Sequence, residues 1–498
     1  MSQFESTVKV FIRADGNAQI GYGHLMRAMA FASHAKTLTE VALIIRNPDF
    51  YAFHASQKYS IQCINISEID IEIEAKYLSE LIPSRSILFI DGYQFDESYL
   101  RIASINGAYL ICMDDHHDRF FPSGCVINVA ELEHPDRIKR GIGSKLVYGL
   151  NYTLIRPEFE FLKLKRESTI FMCFGGGAET KPLIEKSTNA LIASGCEFNN
   201  IQIVVNNSLK SELEQWFKTN YPLLKADILS QVEPEEMNRH MNTAMIGVSS
   251  ASTVSLECRT TGLPLIAGYF VENQKGIYHS LLINNEITGA GDLNTISERD
   301  LSELIRTRFS TLKAISKFDS ILKPESIRDN YLKLIQSCFI ECDFKLRKAE
   351  EKDVLLYLSW ANEPEVRMNA INNEPIREEN HRKWFSSRLS SNSTLLLVGI
   401  WQNVEVGQVR FDEHEGHWEI DYSVAPMYQK RGFGEFLIRK GIEFLKIEKP
   451  SAERIVGLVK PQNTSSLRVF RKLHFTEAPQ MELRDDIHLC SFSFSLFA

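Results

Sequence analysis

In the stretch RADGNAQIGYGHLMRAMAFA, Gly21 and Gly23 precede His24 just where a short apolar strand gives way to a helical pattern. Glycines at such a turn let backbone N–H groups approach a ligand, and the helix N-terminus carries partial positive charge, so the turn suits a phosphate. Beside a bound diphosphate His24 could move a proton, although on spacing alone a cap or packing residue is the more ordinary use of a histidine there. A second set follows the run TIFMCF, where Gly175, Gly176 and Gly177 stand in a row. Further on, Ser249, Ser250 and Ser252 end a strand and open a helix, which offers N–H groups and hydroxyls to a phosphate. Glu257 falls inside that helix and is either an acceptor for both ribose hydroxyls or a solvated helix carboxylate. Asn273 and Gln274, after LIAGYFVE, face the same strand ends and could reach a substrate.

The last third of the chain carries different chemistry. After HWEIDYSV comes APMYQKRGFGEFLIRKGIEFL, in which Gln429, Lys430, Arg431, Gly432, Phe433 and Gly434 lead from a loop into a helix. Successive N–H groups there form an anion cradle, and Lys430 and Arg431 add positive charge; a basic loop with a helix-start glycine is the plainer alternative. A second helix opens at Asn463 with Ser466 in its first turn. Glu419 alternates with Trp418 and Ile420 along a strand, so it need not share their buried face and could accept a proton, or remain a surface carboxylate. The run Asp114, Asp115, His116, His117, Asp118 invites a metal reading. Consecutive positions rarely converge on one ion, so a polar loop is expected and no metal.

These residues need elements to hold them. From Val8 to about Leu150 the runs VKVFIR, VALIIR, ILFID and YLICMDD alternate with helical patterns, and a second series runs from TIFMCF through IQIVV and AMIGVSS to LIAGY. Such alternation predicts two doubly wound parallel-sheet units, with ligands at the carboxyl ends of the strands. Beyond residue 342 a strand, three short helices and a run of antiparallel strands mixed with helices predict an α+β domain. The expected division is 1–160, 161–341 and 342–498, in a chain whose 498 residues exceed one hydrophobic core.

Composition narrows the class. With 44% hydrophobic and 24% charged residues the chain is globular, and a net charge of −8 gives no general reason to expect nucleic acid or an anionic membrane as partner. Nine scattered cysteines without CxxC pairs read as free thiols. The opening MSQFESTVKVFIR lacks the layout of a signal peptide, and no window reaches the apolar length of a membrane span, so a cytoplasmic location is expected.

Taken in order, RADGNAQIGYGHLMRAMAFA, FIDGYQFD, CMDD, GLNYTLIRPEF, CFGGGAET and the run from the serines to ENQ resemble the UDP-sugar hydrolases of pseudaminic acid biosynthesis, over nearly all of residues 8 to 285. That family is related to the GT-B glycosyltransferases. The resemblance implies a GT-B-like pair of Rossmann-type domains, hydrolysis of UDP-2,4-diacetamido-2,4,6-trideoxy-β-L-altropyranose, and His24 as the catalytic residue. Asp15 and Tyr93 become secondary candidates for orienting His24 or the sugar. Residues 344 to about 495 resemble the GNAT acetyltransferases, through Gln429 to Gly434 and the pair Asn463 and Ser466. This implies acetyl-CoA as co-substrate, direct attack of an amine on the thioester, and Glu419 as base. The family's frequent tyrosine, general acid for the thiolate, is here Phe470. In the pathway the two activities are consecutive, so the expected acceptor is the 4-amino group of a UDP-linked trideoxy-altrose derivative. A glycosyltransferase in the first half, or a nucleotide-sugar-binding regulator with an inert acetyltransferase half, are the alternatives.

Overall fold

The computed structural model describes residues 8–17, 20–67, 70–141, 144–175, 177–312, 320–370, 372–484 and 487–496. The chain forms two compact units, Met1–Gln336 and Ser337–Ala498.

The first unit contains two parallel sheets. One is built from β1 (Val10–Ala14), β2 (Val41–Arg46), β3 (Gln62–Ile66), β4 (Ile87–Asp91), β5 (Tyr109–Met113), β6 (Cys125–Asn128) and β7 (Lys145–Tyr148). Its order is β3-β2-β1-β4-β5-β6-β7. The other comprises β8 (Thr169–Cys173), β9 (Asn200–Val204), β10 (Ala226–Leu229), β11 (Ile246–Ser250), β12 (Leu265–Tyr269) and β13 (Thr288–Asp292), in the order β10-β9-β8-β11-β12-β13. Each order reverses beside its first strand, which places a topological switch point between β1 and β4 and another between β8 and β11. Strands β1, β4, β8 and β11 are buried along their whole length, as covering helices on both faces require. This is the doubly wound pair that the alternating pattern predicts.

The helix Gly23–Ala35 packs on β1 and β4 through Leu25, Ala28, Met29 and Ala32, and its Phe31 ring stacks on Phe89 at 4.1 Å. A Cβ at Gly16 would lie 2.6 Å from the Leu25 Cβ, so only glycine lets the chain leaving β1 pass so close to the helix's first turn. That close approach fixes where His24 stands.

The second unit is α+β. Its sheet contains β14 (Lys345–Lys348), β15 (Thr394–Trp401), β16 (Val404–His414), β17 (His417–Val424), β18 (Arg454–Val459), β19 (Thr476–Glu477), β20 (Glu482–Arg484) and β21 (Ile487–Ser495). The order is β14-β15-β16-β17-β18-β21-β19, with β20 paired to β21. All pairings are antiparallel except β17 with β18, which run parallel from Trp418↔Ile455 to Ile420↔Gly457 and then part, although β17 continues to Val424 and β18 to Val459. Phe433, Leu437 and Phe436 of the helix Phe433–Glu448 pack with Val409, Phe411 and Ile455 in one core. Among the described residues no helix is long and apolar enough to cross a membrane.

Candidate functional site

In the first unit the predicted residues gather at the two switch points. Gly21 and Gly175 have φ of +83° and +105°, and among the described residues a Cβ at Gly21, Gly23 or Gly175 would meet nothing within 4 Å. Gly176 lies outside the described residues. Ser252 sits at the N-cap of the helix Thr253–Thr260 without bonding its backbone, and its hydroxyl lies 3.1 Å from the Ser250 Oγ. The first-turn N–H groups of that helix therefore keep no side-chain partner from the cap.

His24 stands in the first turn of its helix, with Nδ1 2.8 Å from Oδ1 of Asp91 at the end of β4. A carboxylate can only accept, so the bond to Asp91 needs the hydrogen on Nδ1, which also lies 3.2 Å from Nη2 of Arg27; with the hydrogen there, the neutral ring presents its lone pair at Nε2. Burial alone would raise Asp91, but the Arg27 guanidinium and then His24 hold it far below the usual carboxylate range. Arg27 donates to Asp91 at 2.6 and 2.9 Å and to Asp115 at 2.9 Å. The Tyr93 ring meets His24 edge-on at 4.5 Å; its hydroxyl donates to Asp115 at 3.1 Å and accepts from the Asn273 Nδ2 at 2.9 Å. His24, Tyr93 and Asn273, drawn from both sheets, thus form one wall.

Three expectations need correction. Asp15 does not orient His24, because its carboxylate accepts from Arg13 at 2.5 and 2.7 Å, from the Arg46 N–H at 2.8 Å and from Gln94 at 3.0 Å. Gln274 turns inward and accepts from the Phe270 N–H at 3.0 Å, closing its own loop. Glu257 is no solvated carboxylate: it is 3% exposed and, among the described residues, only Arg156 donates to it, at 2.9 Å. Burial lifts Glu257 above the ordinary range against the pull of Arg156. Arg156 also lies 3.6 Å from the Met26 sulfur, so it ties the His24 helix to the second sheet.

The Asp114–Asp118 run does more than close a loop, because its Asp115 is the ion partner of Arg27. Asp114 accepts from the His117 N–H at 3.0 Å. Among the described residues no group of three or more His, Cys, Asp or Glu is arranged to hold a metal ion. Sequence reasoning missed Asp91, Arg27 and Arg156, and read Asp115 only as part of a polar loop. The first two had weak signals, an aspartate ending a strand in FIDG and an arginine one turn after His24.

In the second unit the parting of β17 and β18 opens a cavity of about 890 Å³. Gln429, Lys430, Gly432, Phe433, Gly434, Asn463 and Ser466 line it, as do Glu419, Tyr422 and Phe470. Gly432 is the left-handed N-cap of the helix Phe433–Glu448, with φ of +92°, and a Cβ there would project into open space. Arg431 lies over the Tyr428 ring at 5.9 Å. The Phe433 ring is buried among Trp401 and Tyr428, so this residue anchors the helix start rather than reaching for a ligand with its side chain. Asn463 caps the helix Thr464–Lys472 by accepting from the Ser466 N–H at 3.1 Å.

Residues 343–476 match the family described as the Acetyltransferase (GNAT) domain. The second unit is a GNAT acetyltransferase domain. Over 440 residues, 82% of this chain and 85% of the relative, the chain is 23% identical to an uncharacterized protein of Methanocaldococcus jannaschii. Solved structures similar to part of this chain include spermidine N-acetyltransferase of Vibrio cholerae in complex with CoA and spermine (16% identity, 31% of this chain and 95% of that one, TM-score 0.29) and a domain from Methanocaldococcus jannaschii (18%, 31% and 98%, TM-score 0.27).

Within the GNAT domain, Glu419 is held by Arg484 of β20, whose Nη1 reaches both carboxylate oxygens at 2.9 and 3.1 Å. The Tyr422 hydroxyl lies 3.0 Å from the Ser466 Oγ, and burial pushes it up to about 12. Phe470 is 2% exposed, and its ring end lies 2.6 Å from where a Gly457 Cβ would stand. Neither Arg484 nor Tyr422 belongs to a motif, which is why spacing did not find them.

Proposed function

We propose that the chain is a bifunctional enzyme that N-acetylates the 4-amino group of a UDP-linked 2-acetamido-4-amino-2,4,6-trideoxy-altrose and then hydrolyses the product to UDP and the free diacetamido sugar. One observation carries the hydrolase reading: an Asp91-oriented imidazole at the switch point of one sheet, walled by Tyr93 and by Asn273 from beyond the other. In this reading the first-turn N–H groups of the helix Thr253–Thr260, with Ser252 and Gly175, hold the phosphates of UDP, while Ser250, fully buried and donating to the Phe174 carbonyl at 3.1 Å, supports the turn. Glu257 receives the ribose. Nε2 of His24 takes a proton from water as the water attacks the anomeric carbon, and the C–O bond to UDP breaks. Asp91 stabilises the imidazolium so formed, and UDP leaves as an anion held by the N–H groups.

In the GNAT domain the open glycine at 432 and the start of the helix Phe433–Glu448, which has no side-chain cap, fit the diphosphate of coenzyme A, with Lys430 in the cavity lining, Arg431 next to it in the chain, and Asn463 and Ser466 along its arm. Bound acetyl-CoA supplies an acetyl thioester open to attack by an amine. Glu419 accepts the proton that the amine must lose, a strand N–H where β17 and β18 part receives the charge that grows on the carbonyl oxygen, and the C–S bond then breaks to release coenzyme A as its thiolate.

Mass spectrometry of the intact chain with acetyl-CoA and the UDP-linked 4-amino sugar tests both steps. Acetylation followed by UDP and free sugar, with no acceptor added, is the expected outcome. UDP release that requires an added alcohol would make the first unit a glycosyltransferase, and turnover in neither step would reject the reading.

A further inference from the structure

The wall of the GNAT cavity lined from residues 361–370 and 372–376 carries neither coenzyme A motif, yet two cations converge there. Lys460, just past β18, is 5% exposed; its ammonium donates to the Met368 carbonyl at 3.1 Å and to the Asn373 Oδ1 at 2.9 Å. Arg367 donates from Nε to the Ala361 carbonyl at 2.6 Å and from Nη1 to the carbonyls of Asn372 and Glu374 at 3.0 and 3.1 Å. All of these partners are neutral. An ammonium has three donors and a guanidinium five, so among the described residues each cation keeps donors without a partner, Nη2 of Arg367 among them. Asp421 acts on Arg367 without an ion pair to it among the described residues, and lies 3.6 Å from Arg410. Arg410 is different, since it pairs with Asp412 at 2.8 Å.

A buried cation without a counter-charge is costly, and evolution of a binding wall rather than a core is the setting in which that cost is recovered when an anion arrives. Buried Lys460 and half-buried Arg367 line one cavity, fixed by the same short segment, and two cations match a phosphate better than a carboxylate does. We propose that Arg367 and Lys460 form a subsite for the diphosphate of a nucleotide-linked amine, the acceptor of the acetyl group. This rests on the acetyltransferase reading above and names what selects its substrate. It also gives the carbonyl contacts a purpose: they hold both side chains in place before the ligand binds, so little side-chain freedom is lost on binding.

The test measures acetyl transfer by the full chain, as CoA thiol release, with the UDP-linked 4-amino sugar and with the same amino sugar lacking UDP. Arg367→Gln and Lys460→Gln remove charge but keep an amide donor for the carbonyls. The expected result is a rise of about tenfold or more in KM for the UDP-linked amine, with KM for acetyl-CoA and turnover of the nucleotide-free amine unchanged. UDP should also inhibit wild-type acetylation of the nucleotide-free amine competitively, and about tenfold more weakly in each variant. An unchanged acetyl-CoA KM is itself the proof that the variants fold. A rise in the acetyl-CoA KM instead would assign the cations to coenzyme A, and equal effects on both amines, or none, would overturn the subsite. If the UDP-linked amine is not acetylated at all, the substrate reading of the preceding section fails, while the UDP inhibition arm still decides whether the subsite exists.

Discussion

His24 is useful to a hydrolase only if the right nitrogen is free, and Asp91 decides that by taking the Nδ1 hydrogen at 2.8 Å. His24→Ala is expected to abolish UDP-sugar hydrolysis with UDP affinity nearly unchanged. Asp91→Asn, which replaces a pure acceptor by an amide and disturbs the tautomer, should cost about 10²–10⁴-fold in kcat with little effect on UDP binding. Calorimetric UDP binding beside single-turnover rates checks both, and a kcat for Asp91→Asn within twofold of the parent would leave the imidazole without its proposed orienter. His24 was legible because glycines precede it; Asp91 was not, being 67 positions away and joined to it only by the fold. Phe470 raises the opposite question. Its ring end abuts Gly457, so Phe470→Tyr must press a hydroxyl toward β18, at a cost of about 1–3 kcal/mol in stability. Acetyl transfer should change less than about tenfold, well below the full worth of a general acid. Tyr422, which offers a hydroxyl to the same cavity, should lose more on Tyr422→Phe than Phe470→Tyr gains. A large gain for Phe470→Tyr would mark the site as impaired.

At the scale of elements, the turns rather than the strands decide what can bind. Gly432 holds φ of +92° at the head of its helix, a conformation that costs a residue with a Cβ about 1–2 kcal/mol. Gly432→Ala should therefore raise KM for acetyl-CoA, by strain in the cradle and by a methyl group in the cavity, while thermal unfolding shifts by only a few degrees. An unchanged KM would move the diphosphate away from this turn. The two parallel sheets could be read from sequence because a strand buried on both faces is a near-continuous apolar run, as in ILFI of β4 and IFMC of β8. The parting of β17 and β18 could not, since no residue pattern records where two strands stop pairing; yet that opening makes the cavity. The same holds for Arg156, whose place in the sequence gives no hint that it joins the His24 helix to Glu257.

At the scale of the whole molecule, the division between the units falls within the helix Pro324–Asp343 rather than in a loop. Within the first unit Tyr331 is fully buried and donates to the Tyr152 carbonyl at 2.6 Å. Within the second, Ile340 is 7% exposed in the GNAT core and Glu341 pairs with Arg439. The family match begins only at residue 343, so a fragment cut to that match would lose both of these contacts. Removing a buried isoleucine and one partner of a half-buried ion pair should destabilise by about 2–5 kcal/mol. A fragment of residues 337–498 is therefore expected to unfold at a clearly higher urea concentration than one of residues 343–498, with unchanged dependence on urea per molar. Acetyl-CoA at about a hundred times its Kd should add about 2.7 kcal/mol to either fragment that still forms the cradle. Equal urea midpoints for the two fragments would show that the end of this helix is dispensable to the GNAT core.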